Sequence, residues 1–221
     1  MSDPMNDSLA KPILRVPEKP ATLPPDVHPD SRSRLPLVKR ENLDENGQKA
    51  YDAITDPNSR LKAQLIGPAG IWLNVPELSP HIREINWFLR NNFPLETKLA
   101  ELIILTAARE ADAQIEWTSH EPLALKAGLD QKVIDIVKYR KPIDDIDPKE
   151  AAIIRFAREL LGANHLTSET YAEALNQFGQ KALVMMVLLM ANYSQTAIIL
   201  HAFDQQLRPN LTPLLPVADR H

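Results

Sequence analysis

The stretch LETKLAELIILTAAREADAQIEWTSHEPLALKAGLDQKVIDIV, residues 95–137, decides the fold. Residues 95–113 hold no Pro or Gly, and the run Leu102-Ile103-Ile104-Leu105 is apolar on nearly every side. A helix of that kind is buried most of the way round. Residues 115–128 read as the next helix, with Gly128 as its C-cap candidate. Residues 129–141 follow as a short amphipathic helix after an Asp130 cap.

Working outward, the flanks are helical too. Residues 43–54 begin at an Asp44 cap candidate, and 76–92 carry Ile82, Ile85, Phe88 and Leu89 at helical spacing. Between them, Gly67-Pro68 and Gly70 give 58–76 the look of a loop with apolar anchors. Pro148 directly after Asp147 is a sound helix start for 147–164. Thr167 or Ser168 caps 167–179, and a last helix is expected from about Gln180 to Leu207. No segment alternates with period two. The expectation is therefore an all-α helical bundle, a single domain over 41–207 with no sheet. Residues 1–40 hold eight of the nineteen prolines and read as an extended or disordered N-terminal arm; wrapping of a neighbouring subunit is the other reading. Residues 208–221, RPNLTPLLPVADRH, form a proline-spaced tail expected to lie along a surface.

Composition narrows the function. The chain has 221 residues and a net charge of −4, with its basic residues scattered, which argues against a nucleic-acid partner. There is no cysteine, so disulfides, thiol catalysis and thiolate metal sites are excluded. The N-terminus lacks the apolar region of a signal peptide. The longest apolar run, Ala182–Ala191, is too short for a membrane span of about 20 residues, so it reads as a core helix. A cytoplasmic protein with no membrane partner is expected. A lone subunit would expose much of that last helix, which points to a homo-oligomer.

Polar groups on apolar faces are the informative ones. Glu101 has Ile104, Leu105 and Ala108 as its helical neighbours. It is either a buried carboxyl with a raised pKa or the exposed start of its helix. Glu116 and His120 stand at i,i+4 on a face that continues through Leu123, Ala124 and Ala127. That face looks inward, and a carboxylate beside an imidazole can orient it; a solvated ion pair is the bland alternative. Pro122 bears on this choice, because a helix starting there would separate the pair. His120 with two carboxylates could hold a divalent ion, but no second histidine stands at ligand spacing, so no metal is expected. His28, His81, His165, His201 and His221 are weaker candidates. Asn192, Tyr193, Ser194 and Gln195 interrupt the apolar run and could line a pocket or a subunit contact.

With Glu101, the ExxxH block of Glu116 and His120, and the Ala127-Gly128 turn in that order, residues 95–137 resemble the carboxymuconolactone decarboxylase family, which includes the AhpD-like proteins. GIWLNVPEL and ANYSQTAIILHAFDQQL extend the resemblance over most of 41–207. The family's peroxidase branch uses a glutamate, Cys-x-x-Cys and a histidine. Those positions fall on Glu101, Ala113, Glu116 and His120, so the thiol pair is absent and peroxidase chemistry is unavailable. The decarboxylase branch, with glutamate four residues before the histidine, is closer. That resemblance implies an all-helical fold, chemistry without a cofactor, a homo-oligomer (a trimer or hexamer) with sites near subunit contacts, and a helix continuous through Pro122.

The expected function is a cofactor-independent acid/base enzyme, carboxy-lyase-like, acting on a small carboxylated lactone or unsaturated acid. Loss of CO2 leaves a carbanion delocalised into the lactone carbonyl, and the site must stabilise that charge and protonate carbon. His120 is the expected proton donor or shuttle, oriented by Glu116, with Glu101 as relay partner. Trp117 is expected mainly to pack. A lactone isomerase or hydrolase with the same shuttle, or a non-enzymatic oligomeric binding protein, are the alternatives.

Overall fold

Helix α4 (Thr97–Glu110) is the axis on which the other helices are laid. Leu99, Leu102, Ile103, Ile104 and Leu105 are all buried, as their run of apolar residues requires. The structure, a computed structural model, describes residues 14–218. Around α4 pack α5 (Gln114–Lys126), α6 (Gln131–Lys138), α7 (Pro148–Ala157) and α8 (Ser168–Ala202). α7 passes into a π-helical turn over Arg158–Gly162. Helices α2 (Pro68–Trp72) and α3 (Ser79–Asn91) lie on α8. α1 (Glu45–Thr55) joins α2 through Ala50, Ile54, Ala69 and Leu73. The all-α class is as expected, and Asp44, Asp130, Asp147 and Thr167 each cap their helix with a side-chain oxygen.

Several details differ from the sequence reading. Residues 58–76 are not wholly a loop: Gly67 turns at φ 133° and Pro68 opens the short helix α2. A Cβ on Gly70 would stand 1.9 Å from the Leu65 carbonyl oxygen, so only glycine allows this turn. The two expected C-terminal helices run on as α8 with a break at Gly179 (φ 71°). The last ends at Ala202 rather than Leu207, because Asp204 takes a left-handed conformation and the Gln205 amide bonds back to the Leu200 carbonyl. The apolar window of α8 is long enough to cross a membrane by length and composition, and 56% of it is buried inside the fold.

A sheet, absent from the expectation, is present in miniature: β1 (Leu14–Arg15) pairs antiparallel with β2 (Val217–Ala218). It joins the arm to the tail. The arm then docks on the end of α8 of its own chain, where the Arg34 amide bonds the Phe203 carbonyl and the Gln206 amide bonds the Arg32 carbonyl. Residues 1–13 of the arm and His221 lie outside the described residues. The tail does more than lie on a surface. Leu215 is fully buried, and Gln114 at the start of α5 accepts from the Leu214 and Leu215 amides and donates to the Leu215 carbonyl at 2.9 Å.

α5 continues through Pro122 without interruption. Proline removes one donor from the ladder, and side chains on both sides of it hold the helix in place. Trp117, fully buried, donates its indole N–H to Glu121, and Glu121 meets Lys138 of α6 at 3.0 Å in a buried ion pair.

Candidate functional site

Three helices converge on His120. α5 supplies the ring, α4 supplies Glu101 and α8 supplies Tyr193. Because α5 is continuous, Glu116, His120 and Ala124 share a buried face, whereas Leu123, expected on that face, is 40% exposed. His120 Nδ1 lies 2.7 Å from Glu101 Oε2, and His120 Nε2 lies 3.2 Å from the Tyr193 hydroxyl. The two rings meet edge to face with centroids 5.1 Å apart.

Burial disfavours a charged imidazole and holds the His120 pKa below its usual value, with Glu101 opposing that shift. The neutral ring then has one consistent tautomer. Nδ1–H donates to the Glu101 carboxylate, and Nε2 accepts from Tyr193. Burial also pushes the Tyr193 phenol upward, so the hydroxyl keeps its proton. The other Glu101 oxygen faces the Arg90 guanidinium at 3.7 Å.

The residue expected to orient His120 was Glu116, and the structure corrects this: Glu101 makes the contact, and Glu116 forms no hydrogen bond to the ring. One turn along α5 places the Glu116 carboxyl beside the cavity rather than against Nδ1. Glu116 is buried, its Oε2 has no partner among the described residues, and desolvation raises its pKa to about 8. It therefore carries a proton at neutral pH and can act as an acid.

Glu116, His120 and Tyr193 line one side of a cavity of about 290 Å³. Trp72 of α2 and Arg83 and Arg90 of α3 line it as well, with Arg60 and Lys62 from the preceding loop. Arg60 is paired with Glu84 at 2.5 Å and lies over the Trp87 ring at 4.3 Å. Arg83 has no carboxylate within ion-pair distance among the described residues, and burial lowers its pKa. Among the described residues, three buried polar atoms without partners belong to cavity residues: Trp72 Nε1, Arg83 Nε and Glu116 Oε2. Each such group costs about 1–3 kcal/mol when unpaired. A second cavity, of about 320 Å³, lies between the arm and the end of α8, and Glu116 lines both.

Trp117 packs in the core, as expected, and does not line the cavity. Among the described residues no cluster of three or more metal-ligating side chains occurs. Sequence reasoning named Glu101, Glu116 and His120 but left Tyr193 among several polar residues of the last helix. The available signal was a tyrosine within an apolar run. The basic lining was missed, because Arg60, Arg83 and Arg90 are scattered in sequence and only the packing of α3 gathers them.

No protein-family model matches the chain, and no curated protein matches it. Among solved structures the chain is similar to the debrominase Bmp8. A cysteine-to-alanine variant in complex with 2,3,4-tribromopyrrole superposes with a TM-score of 0.61 at 16% identity, over 80% of this chain and 94% of the other. The apo debrominase gives 0.60 at 15% identity, over 80% and 92%. The likeness establishes a shared helical fold.

Proposed function

We propose that the protein is a cofactor-independent acid/base enzyme, similar to carboxymuconolactone decarboxylase, acting on a small carboxylated lactone or related unsaturated acid. The observation that carries this reading is the series Glu101–His120–Tyr193, which ends in a cavity that also presents the protonated Glu116 carboxyl. The basic lining suits an anionic substrate.

In the decarboxylation, the bond between the ring carbon and its carboxylate breaks and CO2 leaves. The electron pair passes into the conjugated lactone carbonyl as an enolate. Glu116 gives its proton to carbon and is left as a carboxylate, which solvent reprotonates. Lining-residue cations offset the charge that develops on the enolate oxygen. Glu101 keeps His120 in the tautomer whose Nε2 can take up a proton through the Tyr193 hydroxyl, and Glu101 offsets the resulting imidazolium charge. That capacity to act as a base favours a second reading, isomerisation or hydrolysis of a lactone, in which one group must remove a proton as another supplies one.

The test is incubation with carboxymuconolactone and mass analysis of the product. Loss of the mass of CO2 supports decarboxylation, an unchanged mass supports isomerisation, and added water supports hydrolysis. No turnover of carboxylated lactones or unsaturated acids overturns the proposal and leaves a binding protein, and full turnover by His120→Gln and Glu116→Gln overturns the roles given to these residues. Debromination, the activity named for the structural neighbours, is not proposed as thiol chemistry because the chain has no cysteine.

The same reading includes self-association into a trimer or hexamer. Ile85 and Phe88 of α3 and Val184, Leu188 and Ile198 of α8 are about half exposed or more, and a shallow apolar groove runs between these helices. Light scattering at micromolar concentration checks it; a monomer there removes this part of the proposal.

A further inference from the structure

We infer that Trp72 and Arg83 form a carboxylate-binding subsite on the α2/α3 side of the cavity, holding the carboxylate of the substrate that is not lost. The inference rests on the acid/base reading above and adds the part of the site that sets specificity.

Two independent donors carry it. Trp72 is buried, and its indole Nε1–H has no acceptor among the described residues. Arg83 Nε is buried and likewise without an acceptor. An indole N–H and a guanidinium only donate, so the group that completes both must be an acceptor. No local carboxyl completes them: Glu84 pairs with Arg60, Glu101 with His120 and Arg90, and Glu116 Oε2 has no partner within hydrogen-bond distance among the described residues. Arg83 is thus a cation in the cavity lining that the fold does not neutralise, and a planar guanidinium matches a carboxylate in shape as well as charge.

Chemistry decides which carboxylate belongs there. Pairing a cation with the leaving carboxylate would stabilise the ground state more than the transition state, in which that charge has moved away, and would slow the reaction. The carboxylate held by Trp72 and Arg83 is therefore a spectator. Its anchor is on α2 and α3, and the acid/base groups are on α4, α5 and α8, so binding at one wall presents the reacting carbon to the other.

The experiment measures binding of cis,cis-muconate, a diacid that has no lactone to react, by titration calorimetry on the full-length protein. Its dimethyl ester serves as the uncharged control. Arg83→Gln is expected to weaken muconate binding at least tenfold, Trp72→Phe several-fold, and Arg83→Lys less than Arg83→Gln. The ester is expected to bind the unaltered protein no better than muconate binds Arg83→Gln. Lys132→Gln, which removes a cation paired with Asp145 outside the cavity, is expected to change binding less than threefold. Circular dichroism confirms that each variant is folded, and Trp72→Phe keeps the test open if Arg83→Gln is not. Equal muconate binding by the unaltered protein, Arg83→Gln and Trp72→Phe overturns the subsite; so does equal binding of acid and ester, or no binding of muconate. His120→Gln separates the two readings. It should bind muconate normally, and its retained turnover would overturn the proton relay while leaving the subsite in place.

Discussion

Glu101 Oε2 stands 2.7 Å from His120 Nδ1, so the ring is held by a carboxylate nineteen positions earlier in the chain rather than by Glu116 on its own helix. Glu101→Gln keeps an acceptor for Nδ1–H but removes the charge. Turnover should fall, toward the lower end of the roughly 10²–10⁴-fold range of acid–base contributions. The His120 pKa, already lowered by burial, should fall further, because Glu101 is the group that raises it. Ring NMR titration checks this, and an unchanged midpoint would remove Glu101 from the proposed relay. The ring also affects stability with pH. Above the unfolded value of 6.5 it is neutral in both states; as pH falls below that, the unfolded chain takes up the proton first and stability is lost toward the lowered folded pKa.

Tyr193→Phe leaves the edge-to-face packing on His120 but removes the hydroxyl from Nε2. A buried acceptor then lacks its donor, at a cost of about 1–3 kcal/mol. If the hydroxyl relays protons, turnover should drop at least tenfold with KM little changed. A variant as active as the unaltered protein shows that protons reach His120 by another route.

Leu215 and Gln114 attach the tail to α5, the helix that bears Glu116 and His120. Leu215→Ala should destabilise by about 2–5 kcal/mol, as truncation of a fully buried leucine does. Gln114→Ala leaves two amides and a carbonyl of the tail without partners and should also lower the melting temperature. Denaturant unfolding measures both. A change near zero for Leu215→Ala would mean that the tail detaches without effect on the core.

The bundle was legible because the run Leu102–Leu105 of α4 is apolar on nearly every side and Asp44, Asp130 and Asp147 announce the helices they cap. Such signals are local, carried by a few neighbouring residues. Glu101 and His120 were legible as polar residues in apolar surroundings and as relay partners, but their direct contact was not, since i,i+4 spacing favours Glu116 and only the packing of α4 on α5 brings Glu101 to Nδ1. The arm–tail strands were missed because two-residue strands have no period, and Leu215 because one leucine among prolines gives no pattern. Arg83 could not be seen as unpaired before Glu84 and Glu101 were known to face other partners.

Pro122 sits inside α5 with no N–H to offer the Thr118 carbonyl one turn back. A proline in a helix interior typically costs about 3 kcal/mol relative to alanine. Pro122 is exposed, so Pro122→Ala leaves no cavity. The substitution should raise the melting temperature while leaving muconate binding and turnover unchanged, because His120 is already fixed by Glu101 and Tyr193. A loss of activity would mean that the local geometry imposed by proline, rather than those two contacts, sets the ring.

Glu116 supplies the sharpest pH dependence. Its carboxyl is near 4.5 when unfolded and about 8 when folded. Below 4.5 both states are protonated and the buried acid costs nothing extra. As pH rises above 4.5 the unfolded chain ionises while the folded chain keeps its proton, so stability falls until the folded group ionises near 8 and then levels. Glu116→Gln removes that slope. The variant and the unaltered protein should therefore melt at similar temperatures near pH 4.5, and the variant should melt higher by pH 8. Turnover by the unaltered protein should decline as pH rises through about 8, since the proposed acid is then lost. Calorimetric melts across this range, with a rate profile on the same samples, separate the effects. A melting difference that does not grow with pH would mean that Glu116 is ionised in the folded protein, and proton delivery to carbon would then fall to the His120–Tyr193 pair.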